Sequence, residues 1–382
     1  MKDESSDDRR SQRKVRTEFR KNRSPRTRHH DVTRQYQQQG DDFEDETLDQ
    51  RISGKGELSR KRTVVADVDT QGESGFDVRP SVDESVCRTG RVMAVYGLAS
   101  DVESADGQLY RCVLRRLLRT LATDQRHVVV TGDRVLFRPD GQREGVIERV
   151  EPRHGVLSRT SRQRRHMIVS NVDQLLIMAS AAQPDIKPNL IDRFLVVAEQ
   201  SGIRPIICIN KTDLVDPADL QPLVGVYGQM GYRVICMSVA TGQGVEEARR
   251  LLRDRQSAIA GQSGVGKSSL LNAIDPSLQL RVGAVSEETE KGKHTTTISR
   301  LLKLASGGYV VDTPGIRQFE LWDVIPAEVA NYYRDLRPYV SLCRFPNCTH
   351  THEANCAVKD AVADGHLDAR RYESYCHLRS GE

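Results

Sequence analysis

Hydrophobic and polar positions fall into distinct textures along this chain. Residues 1–85 carry few aliphatics among Arg, Asp, Ser and Gln, with no sustained helical or strand period. Such a stretch cannot bury enough apolar area to offset its chain entropy, so a disordered polar extension is expected. From Arg88 the pattern turns to short β-like runs, GRVMAVYGLASDV, QLYRCVLR, HVVVTGDRVLFRP and EGVIERVEPR, broken by Gly, Asp and Pro. Val128 to Val130, then Val135 and Phe137, read as strands flanking a Thr131-Gly132-Asp133 turn. Several short strands in so little chain predict a small β-barrel.

From about Asn171 apolar runs alternate with helical spacing. QLLIMA (174–179) and PIICI (205–209) read as buried strands. Between them Leu190, Ile191, Phe194, Leu195 and Ala198 recur on one helix face, with Asn189 as a cap and Gly202 as the stop. Residues 219–228 read as a helix, 232–237 as a third strand and 245–255 as an amphipathic helix. A short fourth strand follows at 257–260. The alternation predicts an α/β domain with a largely parallel sheet.

Composition narrows the classes. The chain has 382 residues, enough for two or three domains, with 37% hydrophobic and 29% charged residues. No apolar run is long enough to span a bilayer, and the start, MKDESSDDRRSQRK, lacks the apolar core of a secretory signal. A cytoplasmic protein with no membrane partner is therefore expected. The formal net charge of +4 conceals blocks of opposite sign. Residues 1–40 are basic and residues 41–85 acidic, a pattern open to a nucleic-acid arm with a masking partner or to a loosely constrained extension. Residues 86–168 hold 16 arginines, no lysine and 9 acids. An Arg-rich small barrel suits oligonucleotide binding, and equally a β domain with a solvated basic face.

The chemistry concentrates in the α/β region. Gly261-Gln262-Ser263-Gly264-Val265-Gly266-Lys267-Ser268-Ser269 fits GxxxxGK[ST], between an apolar strand and a helix-like LLNAI. Glycines let backbone N–H groups turn toward phosphates, and the helix N-terminus adds positive potential. Lys267 would reach the terminal phosphates and Ser268 would ligate Mg²⁺. Asn210-Lys211-Thr212-Asp213 follows the PIICI strand. A carboxylate there can accept from guanine N1–H and its 2-amino group, a donor pair adenine lacks. Ser238, Val239 and Ala240, followed by Thr241 and Gly242, can offer backbone donors to guanine O6 or form an ordinary turn. Asp312-Thr313-Pro314-Gly315 ends an apolar strand, suiting Asp312 to a Mg²⁺-bound water and the Gly315 N–H to a γ-phosphate. The polar, glycine-broken Lys291-Gly292-Lys293-His294-Thr295-Thr296-Thr297 lies between these motifs, and one of its threonines can complete the Mg²⁺ shell.

Motif order is unusual. GTPases ordinarily run phosphate loop, switch threonine, DxxG, NKxD, then the guanine-contacting turn. Here NKTD and SVATG come before the phosphate loop. A circular permutation that joins the usual last helix to the usual first strand accounts for this, because domain termini often lie close together. Near the C-terminus, Cys343-x4-Cys348-x-His350-x5-Cys356 has spacing suited to one tetrahedral Zn²⁺, with His352, His366, Cys376 and His377 as rival ligands. The remaining cysteines, Cys87, Cys112, Cys208 and Cys236, are scattered and read as small hydrophobes.

Together, the permuted order, GQSGVGKSS, NKTD, GKHTTT, DTPG, NLIDRFLVVAE (189–199) and the cysteine–histidine cluster resemble the circularly permuted, ribosome small-subunit-dependent GTPases, the RsgA or YjeQ family. The resemblance spans roughly 88–380. It implies a multidomain chain: 86–155 an RNA-binding OB-fold β-barrel, 160–320 a circularly permuted α/β P-loop GTPase domain, and 321–382 a small zinc-binding domain; the disordered polar extension expected over 1–85 is a departure from the family. It further implies GTP hydrolysis to GDP, stimulated by the small ribosomal subunit, in late maturation of that subunit. Implied partners are the subunit and its rRNA together with GTP/GDP, and implied cofactors are Mg²⁺ with GTP and one structural Zn²⁺; a monomer is expected. His294 matches a histidine proposed to position the attacking water, Thr296 would sense Mg²⁺, and Lys267 would serve catalysis. Ile316 follows DTPG where many GTPases carry glutamine, so another group must orient the water. Two rival classes stand beside this reading: an RNA-binding scaffold that binds GTP but barely turns it over, and an unrelated permuted GTPase acting on proteins.

Overall fold

The structure, a computed structural model, describes residues 12–18, 61–67, 79–80, 82–115, 118, 128–161, 164–282, 299–312 and 325–381. The polar N-terminal extension, expected to be disordered throughout, departs from that reading: β1 (Gln12–Glu18), β2 (Lys61–Asp67) and β3 (Arg79–Pro80) pair as a small antiparallel sheet, because backbone pairing needs no apolar core.

Five strands close the barrel: β4 (Arg88–Tyr96), β5 (Ala99–Ser104), β6 (Leu109–Leu114), β7 (Arg134–Asp140) and β8 (Glu144–Val150). Around the ring the order is β4-β5-β6-β8-β7 and back to β4, with β6 and β8 parallel and the other neighbours antiparallel. Alternation decides what points inward. On β6, Tyr110 and Cys112 are buried while Leu109, Arg111 and Val113 face out. Val92, Val102, Val135, Phe137 and Ile147 complete the barrel core. Gly90 is needed for closure, since a Cβ there would stand 2.4 Å from Val102 Cγ1 and 2.9 Å from Phe137 Cε1. One expected strand differs: residues 128–130 form none. Instead the Asp133 carboxylate folds back onto Val130 N–H at 2.8 Å, and Arg153 holds both its oxygens at 2.7 Å. A side chain that satisfies the backbone this way competes with strand pairing.

A hairpin of β9 (Leu157–Ser161) and β10 (Arg164–Val169) leads into the α/β domain. Its sheet runs β13 (Arg233–Cys236), β12 (Arg204–Asn210), β11 (Gln174–Ser180), β14 (Gln256–Gly261), β16 (Tyr309–Asp312), β15 (Arg300–Lys303), parallel until the antiparallel β15. Every residue of β11 and β14 is buried, which is why both read as unbroken apolar runs rather than alternations. The helices α1 (Pro188–Gln200), α2 (Pro217–Gln229), α3 (Val245–Leu252) and α4 (Lys267–Ile274) cover the two faces. Asn189 is not the α1 cap: Lys187 holds that position with no side-chain bond, and Pro188 opens the helix. Proline is pre-set for the first helical residue, so the helix starts one step earlier. Helix α3 stops at Leu252, short of the expected 255, because Arg253 turns extended and Asp254 takes φ +56°.

Four short helices follow: α5 (Val329–Tyr332), α6 (Arg337–Val340), α7 (Ala357–Ala363) and α8 (Ala369–Ser380). They share a core of Tyr333, Leu336, Val358, Leu367 and Tyr375 with Val196 of α1. An ionic knot fixes them to α1. The Arg371 guanidinium pairs with Asp192 and, at 3.0 Å, with Asp335, and it lies 4.2 Å from the Tyr333 ring centroid. Burial opposes its charge, but Asp192 and Asp335 outweigh that and push its pKa above the usual guanidinium range. Removing one member of such a buried pair costs about 3–5 kcal/mol, because the other charge is stranded. The C-terminal helices are therefore docked against α1.

Candidate functional site

The phosphate-loop motif spans the end of β14, a turn, and the first turn of α4. Gly261 and Gly266 have φ of +153° and +97°, and neither tolerates a side chain. A Cβ would approach Met178 O to 2.2 Å at the first and Asn210 Nδ2 to 2.4 Å at the second. Lys267 Nζ bridges the loop, donating to the Gly261 carbonyl at 2.6 Å and the Gln262 carbonyl at 2.7 Å. Ser268 and Ser269 follow in the first turn of α4, at its positive end.

Asn210 gathers the loops. From the tip of β12 its Nδ2 donates to the Val265 carbonyl at 2.8 Å, and its Oδ1 accepts from Val239 N–H at 3.1 Å. One buried side chain thus ties NKTD, the phosphate loop and SVATG, which are far apart in sequence. Thr212 anchors the same corner through Met237 O, at 3.2 Å from its N–H and 3.1 Å from its hydroxyl. Lys211 takes a left-handed φ of +61°, and its ammonium bonds the Gln183 carbonyl. Asp213, on the short turn that follows, is exposed. Ser238 is buried and accepts at its hydroxyl from Thr241 N–H at 3.2 Å, shaping the turn that also holds Ala240. Asp312 ends β16, which runs parallel beside β14. At the C-terminal ends of the strands the arrangement brings together the glycine-rich loop, the Lys267 and Lys211 ammoniums and the solvent-facing Asp213 carboxylate. Gly315, His294 and Thr296 lie outside the described residues.

The second site is the cysteine–histidine cluster. One donor atom from each of Cys343, Cys348, His350 and Cys356 lies within 4.8 Å of all the others. Cys343 Sγ is 3.8 Å from Cys356 Sγ, and His350 Nδ1 is 3.3 Å from the first sulfur and 3.5 Å from the second. A tetrahedral zinc site has edges of about 3.8 Å between sulfurs and about 3.5 Å from sulfur to nitrogen. The Cys343, His350 and Cys356 donors stand at these spacings, so the set is consistent with that ion, and the Cys343 and Cys356 sulfurs are too far apart for a disulfide. His352, His366, Cys376 and His377 fall outside the cluster. Burial lowers the His350 pKa, keeping the imidazole neutral with a lone pair to give.

Sequence reasoning missed the shell around this cluster. His350 takes φ +59° and is 3% exposed, so its loop needs support. The Glu353 carboxylate accepts from Thr349 N–H and hydroxyl, both at 2.7 Å, and from Thr351 N–H at 3.1 Å. Tyr372 and Tyr375 donate their hydroxyls to the His350 and Thr349 carbonyls at 2.8 and 2.7 Å. The one sign in the sequence was the i, i+3 spacing of Tyr372 and Tyr375 on α8.

Comparison with known proteins matches this geometry. The RsgA GTPase family model matches residues 150–322. The small ribosomal subunit biogenesis GTPase RsgA of Chromohalobacter salexigens is 41% identical over 301 residues, covering 77% of this chain and 86% of its own. The protein of the same name from Sodalis glossinidius is 38% identical, covering 80% and 88%. The chain belongs to the RsgA GTPase family. Among solved structures, YjeQ from Thermotoga maritima superposes with a TM-score of 0.65 at 36% identity, covering 77% of this chain and 98% of its own. YloQ, a circularly permuted GTPase, gives 0.60 at 30%, covering 77% and 94%. The permuted order read from the motifs is thus the RsgA order, and the N-terminal β-barrel accompanies it. Among the described residues, no helix is long and apolar enough to cross a membrane.

Proposed function

We propose that this chain hydrolyses GTP to GDP and phosphate on the small ribosomal subunit and assists late maturation of that subunit in the cytoplasm. The observation that carries the reading is Asn210, which joins the guanine-side and phosphate-side loops of a permuted GTPase through Val265 and Val239. In this reading Asp213 accepts from guanine, Lys211 and Thr212 frame it, and the backbone of Ser238, Val239 and Ala240 faces O6. The amides of residues 261–266, with Gly261, Gln262, Ser263, Gly264, Val265 and Gly266, cradle the phosphates. Lys267 leaves its loop carbonyls for the terminal phosphates, and Ser268 and Ser269 sit at the metal side. Mg²⁺ bound with GTP neutralises phosphate charge; Ser268, Asp312 and Thr296 would hold it. Gly315 would contact the γ-phosphate, and His294 would position the attacking water.

The barrel is read as an OB-fold that grips rRNA. Its ring order, with the third and fifth strands parallel, supports this, as do its outward arginines. On the outer face, Arg111 of β6 lies 4.5 Å and Arg300 of the adjoining β15 5.6 Å from the Tyr96 ring centroid, a guanidinium–aromatic stack suited to phosphates or unpaired bases. The C-terminal helices are read as a zinc-binding domain, with Cys343, Cys348, His350 and Cys356 holding one structural Zn²⁺ per chain.

The test is subunit binding. With a non-hydrolysable GTP analogue the chain should pellet with purified small subunits more tightly than with GDP. Affinity should drop by orders of magnitude between ~50 and ~200 mM salt as counterions are displaced. Binding that ignores both nucleotide and salt would contradict the reading.

A further inference from the structure

Contacts from the barrel to the GTPase sheet converge on the β15–β16 hairpin. Ala94 of β4 pairs with Arg300 of β15. The Thr131 hydroxyl donates to the Ser299 carbonyl at 2.9 Å. Glu103 on β5 is also buried at this seam, only 8% exposed. One of its oxygens accepts from Lys303 Nζ of β15 at 2.7 Å, and the other accepts from the Tyr309 hydroxyl of β16 at 2.5 Å. Arg91 of β4 covers the Tyr309 ring, 4.1 Å from its centroid. A single barrel carboxylate therefore spans both strands of the hairpin.

That hairpin has a particular place in the chain. In sequence, Ser299 follows the GKHTTT-bearing segment and Asp312 opens DTPG, so the hairpin links the two nucleotide-sensing segments. Beside it, β16 pairs with β14, which runs into the phosphate loop. Burying a carboxylate at a seam is costly, so a lost partner there is felt more than one lost at the surface. With both donors engaged, the register of the hairpin against the barrel is set; with one lost, the hairpin is free of that constraint.

We propose that Glu103 is a positioning residue for stimulated hydrolysis: by bridging Lys303 and Tyr309 it makes barrel engagement fix the strand pair that carries Ser299 and Asp312. The inference rests on the ribosome-dependent reading above. Glu103 touches neither nucleotide loop, so the coupling is separable from nucleotide binding.

The test uses the full chain with Glu103→Gln, which keeps shape and removes charge, and Tyr309→Phe, which removes one donor. GTP turnover is measured alone and across a titration of purified small subunits. Both variants should keep the basal rate and the half-saturating subunit concentration within about twofold, while the saturating stimulated rate falls on the order of tenfold. Native stimulated rates in both variants would overturn the proposal. So would an equal fall in basal and stimulated rates, which marks a merely structural role, or a loss confined to subunit affinity. If the native chain itself shows no stimulation, the ribosome-dependent reading fails, and the inference with it. Native stimulation with unaffected variants removes the inference alone.

Discussion

At position 213 a carboxylate faces solvent on a turn whose entry residue, Lys211, is held in a left-handed conformation with its ammonium tied to Gln183. The turn is anchored from beneath by Thr212, so the carboxylate is displayed by a rigid corner rather than a flexible loop. An Asp213→Asn substitution replaces one acceptor oxygen with a donor that guanine cannot meet. The GTP-over-ATP preference should then fall by about 100-fold, the worth of a charge-assisted pair. Competitive nucleotide binding measures this, and a variant that still excludes ATP as the native chain does would refute the role of Asp213. The motif letters were legible because glycine and carboxylate chemistry is local. The roles of Asn210, Glu103 and Arg371 were not. Each acts on partners tens to hundreds of residues away, and neither period nor spacing marks such a residue before the strands are set side by side.

Elements were legible where burial is uniform. The apolar runs at 174–179 and 205–209 became β11 and β12 because a parallel strand buried on both faces has no polar positions to blur it. Ends were less legible, since Pro188 displaced Asn189 as the start signal of α1 and Asp133 drew residues 128–130 out of strand geometry. The C-terminal helices are a different case. Two of the four have only 4 residues each, too short to stand without tertiary support. Their core borrows Val196 from α1, and a metal held by Cys343, Cys348, His350 and Cys356 would staple the loop between α6 and α7. Metal binding at such a site supplies folding free energy directly. Metal analysis of the purified chain should find about one zinc, absent from a Cys348→Ser variant whose C-terminal helices unfold at lower temperature. A metal-free native chain of unchanged stability would rule out the zinc reading.

Taken whole, the molecule is a frame of joined parts. Barrel and GTPase strands form one continuous sheet, sewn at β4–β15 and clamped by Glu103. The C-terminal helices are fixed to α1 by Arg371 and by Arg334 and Arg337, which reach Glu199 at 2.6 and 3.2 Å. With both flanks anchored, in the proposed reading an RNA surface that engages the barrel would act on the strands that border the phosphate loop. Ile316 offers no polar group to orient water, so turnover by the isolated chain should be slow. The most direct measurement is GTP hydrolysis by the full chain with and without purified small ribosomal subunits, at saturating Mg²⁺ and GTP. Subunits should raise turnover at least about tenfold, with Lys267→Ala inactive in both conditions. The same rate with and without subunits would contradict a ribosome-dependent GTPase.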